Sequence, residues 1–370
     1  MKRRILASVL LAAICLYSTA AAAPPALSAT SAILVDGDTG RVLFEKNVHE
    51  RRLIASITKL MTALVAVEST PDLTMPVTVK REWTMAEGSS IYLREGETLQ
   101  LETLLYGLLL SSGNDAALAV AEACAGDVER FVERMNQRAE ELGMKNSHFA
   151  NPSGLNASDH YSTAYDMALL AREVLKRPEL RKIMSTKSIH LEEHSFVNHN
   201  KLLWSVDGCL GMKTGYTILA GRTLVSAAER EGQTLICVTL NDPNDWKDHA
   251  ALLDYGFAVY PRQVLALKGR RFCTLPVEGS LNRFVTVETG CDVFYPLGTE
   301  ERIQAKVDLP DDVTAPVVSG AVAGSITFFL GEKEIGRTSL LYADTVWADR
   351  AKSKTLFGEM ADFLRGESRS

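Results

Sequence analysis

Strand-forming runs stand at both ends of a long helical stretch, and few folds accommodate that order. At the front, Ala32-Ile33-Leu34-Val35 and Arg41-Val42-Leu43-Phe44 flank Asp36-Gly37-Asp38-Thr39-Gly40, which reads as a β-hairpin. At the back, Arg222 to Arg230 and Gln233 to Leu240 are joined at Glu231-Gly232 as a second hairpin. Between them the apolar spacing is helical. A helix starts near Ser56 with Leu60, Met61, Leu64 and Val65 on one face, and Leu101, Leu104, Leu105, Leu108 and Leu109 mark another. Further helices are predicted over Ala116 to Cys124, Phe131 to Leu142 and Ala164 to Leu175, and a last one over Asp245 to Phe257. Strands closing from both ends of a helical middle fit one antiparallel sheet covered by helices, an α+β fold.

The texture changes near Gln263. Short runs such as Arg283-Phe284-Val285-Thr286-Val287 and Ser325-Ile326-Thr327-Phe328-Phe329-Leu330 alternate with Gly and Pro turns, so a small all-β domain is expected over 263–347 after a first domain over 29–262. The first residues belong to neither. Lys2-Arg3-Arg4, an apolar run from Ile5 to about Tyr17 and the small residues Ser18 to Ala23 read as a secretory signal peptide, taken as 1–28. Cys15 follows Ile14, a poor lipobox. No later segment is apolar enough over sufficient length to cross a membrane.

The formal charge of the chain is -6, and removing three basic leader residues makes it about -9. An acidic chain without a basic run argues against nucleic acid as partner. Five of the six cysteines follow the leader, an odd and scattered set that reads as free thiols rather than a disulfide framework.

The stretch Ile54-Ala55-Ser56-Ile57-Thr58-Lys59-Leu60-Met61-Thr62 puts an amine among apolar residues, one turn after a serine. Positions i and i+3 share a helix face, so hydroxyl and amine can meet. A serine hydroxyl is a weak nucleophile until a base takes its proton. Lysine serves as that base only if burial or a second cation pulls its pKa down. Ser56 at a helix start also gains from the positive end of the helix dipole. Alone, S-x-x-K is common and a solvated helix lysine explains it. Two further pieces change the weighing. Ser112-Gly113-Asn114 falls in a tight link between helices, and Lys213-Thr214-Gly215 falls before the late hairpin, on a strand bordering the same cleft. S-x-x-K, S-x-N and K-T-G in this order form the triple of penicillin-binding proteins and serine β-lactamases.

From about Ser31 to Phe257 the chain resembles the low-molecular-mass penicillin-binding proteins, the serine D-alanyl-D-alanine carboxypeptidases, in ASITKLMTA, EGSSIYLREGE, LLYGLLLSSGNDAALAVAE, LGMKNSHFANPSGL, HYSTAYDMALLAR, NHNKLLW and GMKTGYT. The later segment resembles that family's C-terminal β domain. The resemblance implies a β-lactamase/transpeptidase-like first domain. It implies Ser56 as nucleophile and Lys59 as general base, with Ser112 passing the proton to the departing D-alanine. Asn114 would position Lys59 and the substrate backbone, Lys213 and Thr214 of the Lys213-Thr214-Gly215 strand would meet the terminal carboxylate, and the N–H groups of Ser56 and Tyr216 would form the oxyanion hole. The implied partners are a peptidoglycan stem peptide ending in D-Ala-D-Ala and β-lactam antibiotics, in the cell wall or periplasmic space; no cofactor and no metal are implied. The second motif is S-G-N rather than the S-D-N of class A β-lactamases. The glutamate of Glu278-Gly279-Ser280-Leu281-Asn282 comes after Lys213, where a deacylating glutamate would precede it, so order argues against a β-lactamase. A wall-scaffold protein that binds penicillin without turnover is the alternative of another class.

Other features read as structure. His190-Leu191-Glu192-Glu193-His194, with His199 nearby, spells the H-x-x-E-H of a zinc peptidase. Ser188 to Glu192 alternates like a strand, on which the two histidines would not converge as on a helix. His49, His148, His160 and His249 are scattered, and Arg94, Trp246 and Lys247 read as surface or core before cleft. The tail, 348–370, contains an amphipathic stretch from Leu356 to Arg365. Family members often carry a C-terminal membrane anchor, so peripheral attachment is one reading of the tail; the stretch is short, mixed in charge and without a tryptophan on its apolar face, and a helix packing on the β domain or a frayed end is the other.

Overall fold

The computed structural model describes residues 23–349. The leader expected over 1–28 lies outside these residues save for 23–28, and the tail expected over 348–370 lies outside save for its first two residues.

The front hairpin is β1 (Ser31–Asp36) and β2 (Val42–Lys46), and the helices that follow are α1 (Lys59–Ser69), α2 (Leu101–Leu110), α3 (Asn114–Ala125), α4 (Val128–Glu141), α5 (Ala164–Leu175) and α6 (Pro178–Ser185). The chain then returns as β3 (Cys209–Thr217), β4 (Gly221–Arg230) and β5 (Gln233–Leu240), and α7 (Asp245–Val259) closes the domain. The two hairpins merge into one antiparallel sheet of order β2-β1-β5-β4-β3, the arrangement expected of strands at both ends of a helical middle. Both faces of the sheet are covered. Alternate residues of β1 go to opposite sides: Ile33 and Val35 join the core beneath α1 and α5, whereas Ala32 and Leu34 pack with Leu252 and Leu253 of α7. Among the described residues no strand pairs with the outer side of the edge strand β3, and the site is built along it.

Local details depart from the reading of the sequence where the backbone is unusual. The helix expected near Ser56 is a single 3-10 turn, Ala55–Thr58, before α1 begins at Lys59. Ala55 there has φ +49°, a left-handed conformation that keeps the first turn from being α-helical. Helix α3 starts at Asn114, so the S-x-N motif sits on the turn between α2 and α3. Ser112 in that turn also has positive φ, +63°.

After α7 the chain forms β structure throughout. Arg262–Ala266 pairs with Val293–Pro296, and a six-stranded sheet includes Arg271–Glu278, Phe284–Thr289, Val322–Leu330 and Lys333–Tyr342. Its core holds Leu275, Val285, Val287, Ile326, Phe328 and Leu340. Arg41 in the front hairpin joins the two parts, donating to the Pro296 carbonyl and forming an ion pair with Glu301. The five described cysteines are free. Among the described residues no helix is long and apolar enough to cross a membrane.

Candidate active site

The 3-10 turn carrying Ser56 is wedged between β3 and a turn at residues 151–154. Thr223 Oγ1 of β4 donates to the Ile54 carbonyl at 2.9 Å, fixing the entry to the turn. Gly215 of β3 passes so close that a Cβ there would lie 2.9 Å from the Ser56 nitrogen and 2.4 Å from Thr223 Oγ1. The K-T-G glycine is therefore a close-approach residue: only a missing side chain lets the edge strand run against the serine.

Lys59, the first residue of α1, is completely buried. Its Nζ lies 3.0 Å from Ser56 Oγ, 2.7 Å from Asn114 Oδ1 and 2.6 Å from the Ser153 carbonyl. Burial is the largest influence on this amine and the charge of Lys213 the second; together they hold its pKa well below the ordinary lysine value. Asn114 is itself fixed, its Nδ2 donating to the Glu87 carbonyl at 2.6 Å. The loop supplying that carbonyl is tied to α3 by the buried Asp115, which accepts from the N–H groups of Ile91 and Leu93 and from Ser90 Oγ.

Lys213 is buried on β3, just beyond a bulge between Cys209 and Gly211. A Cβ at Gly211 would meet the Met184 carbonyl at 2.0 Å, so the bulge is packed tightly against the end of α6. Asn200 holds it from the other side by donating to the Gly211 carbonyl at 2.8 Å. Lys213 Nζ donates to the carbonyl of Thr214 at 2.9 Å, and burial lowers its pKa to about 7. Thr214 and Gly215 are half-buried along the cleft edge, while Tyr216 is largely exposed. Ser112 is buried on the turn before Asn114.

The structure thus gathers Ser56, Lys59 and Asn114 into one hydrogen-bonded cluster, with Lys213 close enough for its charge to act on Lys59. Sequence reasoning did not name the backbone carbonyls of Ser153 and Glu87, whose contribution leaves no side-chain signature. It also gave His160 no role. That ring is buried and stands 2.8 Å from Thr58 Oγ1, on the turn that carries Ser56.

The zinc pattern is dispersed over a hairpin of Ser188–Leu191 and His194–Val197. His190 faces Ser195 Oγ at 2.8 Å and His194 faces Glu97 at 2.8 Å, and among the described residues no group of three potential ligands is placed to hold a metal ion. Arg94 is exposed near Glu193, Lys247 is exposed, and Trp246 lies under the Arg222 guanidinium.

A serine hydroxyl paired with a buried amine, with a second lysine on the adjoining edge strand and helices on both faces of an antiparallel sheet, defines a serine acyl-transfer enzyme of the penicillin-recognising kind. Residues 18–244 match the family model described as D-alanyl-D-alanine carboxypeptidase, and residues 263–347 match penicillin-binding protein 5, C-terminal domain. D-alanyl-D-alanine carboxypeptidase DacF of Bacillus subtilis is 33% identical over 313 residues, 80% of each chain. D-alanyl-D-alanine carboxypeptidase DacD of Escherichia coli is 32% identical over 92% of this chain and 91% of its own. Penicillin-binding protein 5 from Haemophilus influenzae superposes with a TM-score of 0.71 at 29% identity, over 88% of this chain and 99% of that one. The chain belongs to the serine D-alanyl-D-alanine carboxypeptidases, the low-molecular-mass penicillin-binding proteins.

Proposed function

We propose that the protein removes the terminal D-alanine from peptidoglycan stem pentapeptides through an acyl-enzyme on Ser56. The observation that carries this is the set of partners around Lys59 Nζ. A neutral amine has two hydrogens and one lone pair. Asn114 Oδ1 and the Ser153 carbonyl accept the two hydrogens, which leaves the lone pair for the Ser56 hydroxyl, 3.0 Å away.

In this reading Lys59 takes the Ser56 proton as Oγ attacks the carbonyl of the penultimate D-alanine. The N–H groups of Ser56 and Tyr216 hold the resulting oxyanion, each donor worth about 10²–10³ in rate in a comparable serine enzyme. Collapse breaks the C–N bond, and the proton reaches the departing amine by way of Ser112. Asn114 also meets the substrate backbone. The free carboxylate is held by Lys213 and Thr214, which limits the enzyme to chain ends. Water then attacks the ester, Lys59 again accepting a proton, and frees Ser56.

The sequence leader supports export to the cell wall or periplasmic space. The amphipathic stretch Leu356 to Arg365 supports peripheral membrane contact, and deleting residues 350–370 should then release the protein from membranes. The central test is intact-protein mass spectrometry after penicillin G, with the adduct mapped, alongside D-alanine release from diacetyl-Lys-D-Ala-D-Ala. An adduct on Ser56 and release of D-alanine are expected, and Ser56→Ala should abolish both. An adduct without release would indicate a penicillin-binding scaffold instead.

A further inference from the structure

The peptide unit joining Ala55 to Ser56 is gripped from one side by a chain of hydrogen bonds that begins at His160. Thr58 Oγ1 donates to the Ala55 carbonyl at 2.8 Å and lies 2.8 Å from His160 Nε2. His160 Nδ1 accepts the Ala150 N–H at 3.1 Å, so the proton of the neutral ring sits on Nε2 and donates to Thr58. Only one arrangement of protons satisfies all three contacts: backbone N–H to ring, ring to hydroxyl, hydroxyl to carbonyl. The ring is buried edge-on to Phe149, with centroids 5.8 Å apart at 83°. Burial pushes its pKa down to about 4, so the neutral form this arrangement needs is the one present at neutral pH.

A trans peptide is planar, and its C=O and N–H point in opposite directions. Fixing the Ala55 oxygen therefore aims the Ser56 N–H the other way. On that other side runs Gly215, whose missing Cβ would stand 2.9 Å from the Ser56 nitrogen. The grip opposes a real tendency to relax, because Ala55 holds a φ of +49° that alanine adopts only under constraint. Gly154 closes the remaining exit: a Cβ there would fall 2.0 Å from the Ala55 oxygen.

We propose that His160 is a positioning residue for the oxyanion-binding amide of Ser56, acting through Thr58 on the carbonyl of Ala55. This rests on the reading above that the Ser56 N–H is an oxyanion donor. The relay touches no substrate atom and makes no hydrogen bond to Lys59, whose charge bears on the His160 ring only through space, after burial, Asp159 and His148; it therefore governs transition-state stabilisation rather than binding or proton removal.

The test compares Thr58→Val, which removes the hydroxyl at nearly constant volume, with Thr58→Ser, which retains it, and His160→Leu with His160→Gln, which retains an N–H donor. The measurements are kcat and KM on diacetyl-Lys-D-Ala-D-Ala, the penicillin acylation rate across pH, and the affinity for a peptide boronic acid. The boronate forms a tetrahedral serine adduct with an oxygen in the oxyanion hole, and thermal unfolding confirms that each variant is folded at the assay temperature. Thr58→Val and His160→Leu should lose on the order of tenfold to a hundredfold in kcat, acylation rate and boronate affinity, since removing an oxyanion donor altogether costs about 10²–10³. KM and the midpoint of the acid limb should not move, and the serine and glutamine variants should recover most of the loss. A folded Thr58→Val that acylates at the wild-type rate would overturn the proposal, as would a Thr58→Ser as slow as Thr58→Val. A shifted acid limb would also overturn it, by showing that the effect runs through Lys59. If Ser56→Ala still took the penicillin label, the assignment of Ser56 would fail instead, which separates the two ideas.

Discussion

Lys59 Nζ and Asn114 Oδ1 are joined at 2.7 Å inside a buried pocket, so the amine's side-chain partner there is a neutral amide rather than a carboxylate. An amide oxygen accepts a hydrogen from a neutral amine without neutralising an ammonium as a carboxylate would. Asn114→Asp should therefore change the chemistry more than the shape. A carboxylate at this distance favours the charged lysine, raising its pKa by about one to three pH units. Acylation by a fluorescent penicillin should fall about tenfold to a thousandfold at neutral pH and recover in part at alkaline pH. An unshifted pH profile in this variant would refute Lys59 as the base.

Lys213 acts on the same amine from the other direction. It is buried, and its charge disfavours a second ammonium at Lys59. Lys213→Met removes that repulsion, so the acid limb of the acylation profile should move to higher pH. The variant should also raise KM for peptides with a free terminal carboxylate far more than for the corresponding amides. Steady-state kinetics on matched acid and amide substrates check the second effect, and stopped-flow acylation checks the first.

The part of the site legible in the sequence is the part written in side chains. Ser56, Lys59, Ser112, Asn114 and Lys213 belong to three motifs that can be read from their letters, and the two hairpins are plain from alternating apolar runs bounded by Gly-containing turns. The Ser153 and Glu87 carbonyls were not legible, because any residue can present a carbonyl and only the fold brings it to Lys59 and Asn114. The 3-10 turn at Ala55–Thr58 was missed for a related reason. Its positive φ at Ala55 is imposed by neighbours remote in sequence, Gly154 and Thr223 among them. His160 looked scattered because its partner, Thr58, is 102 residues away.

Gly215 offers a steric test of how closely β3 must approach Ser56. A methyl group there would meet Thr223 Oγ1 at 2.4 Å and the Ser56 nitrogen at 2.9 Å. Thr223 cannot swing aside without giving up its bond to the Ile54 carbonyl. Gly215→Ala should therefore push β3 away from the serine, lowering the acylation rate at least tenfold. The accompanying loss of stability should be about 1–3 kcal/mol, the usual cost of overpacking. Urea unfolding and penicillin acylation on the same preparation separate the two effects.

Two buried histidines should set the acid side of the stability profile. His249 lies between Ser226 Oγ at 2.6 Å and Thr239 Oγ1 at 2.9 Å, and burial pushes its pKa down to about 3; His160 is pushed down to about 4. Both rings take a proton near pH 6.5 once the chain unfolds. Between pH 6.5 and these lower values the unfolded state binds more protons, so stability is retained above pH 6.5 and is lost as pH falls through that window. From pH 7 to pH 5 each ring should contribute a loss of about 2 kcal/mol. His249→Gln cannot titrate, and whatever its stability at neutral pH, its urea midpoint should fall less steeply on acidification than that of the wild type. Equal slopes for the two proteins between pH 7 and pH 5 would show that His249 is not held neutral by the fold.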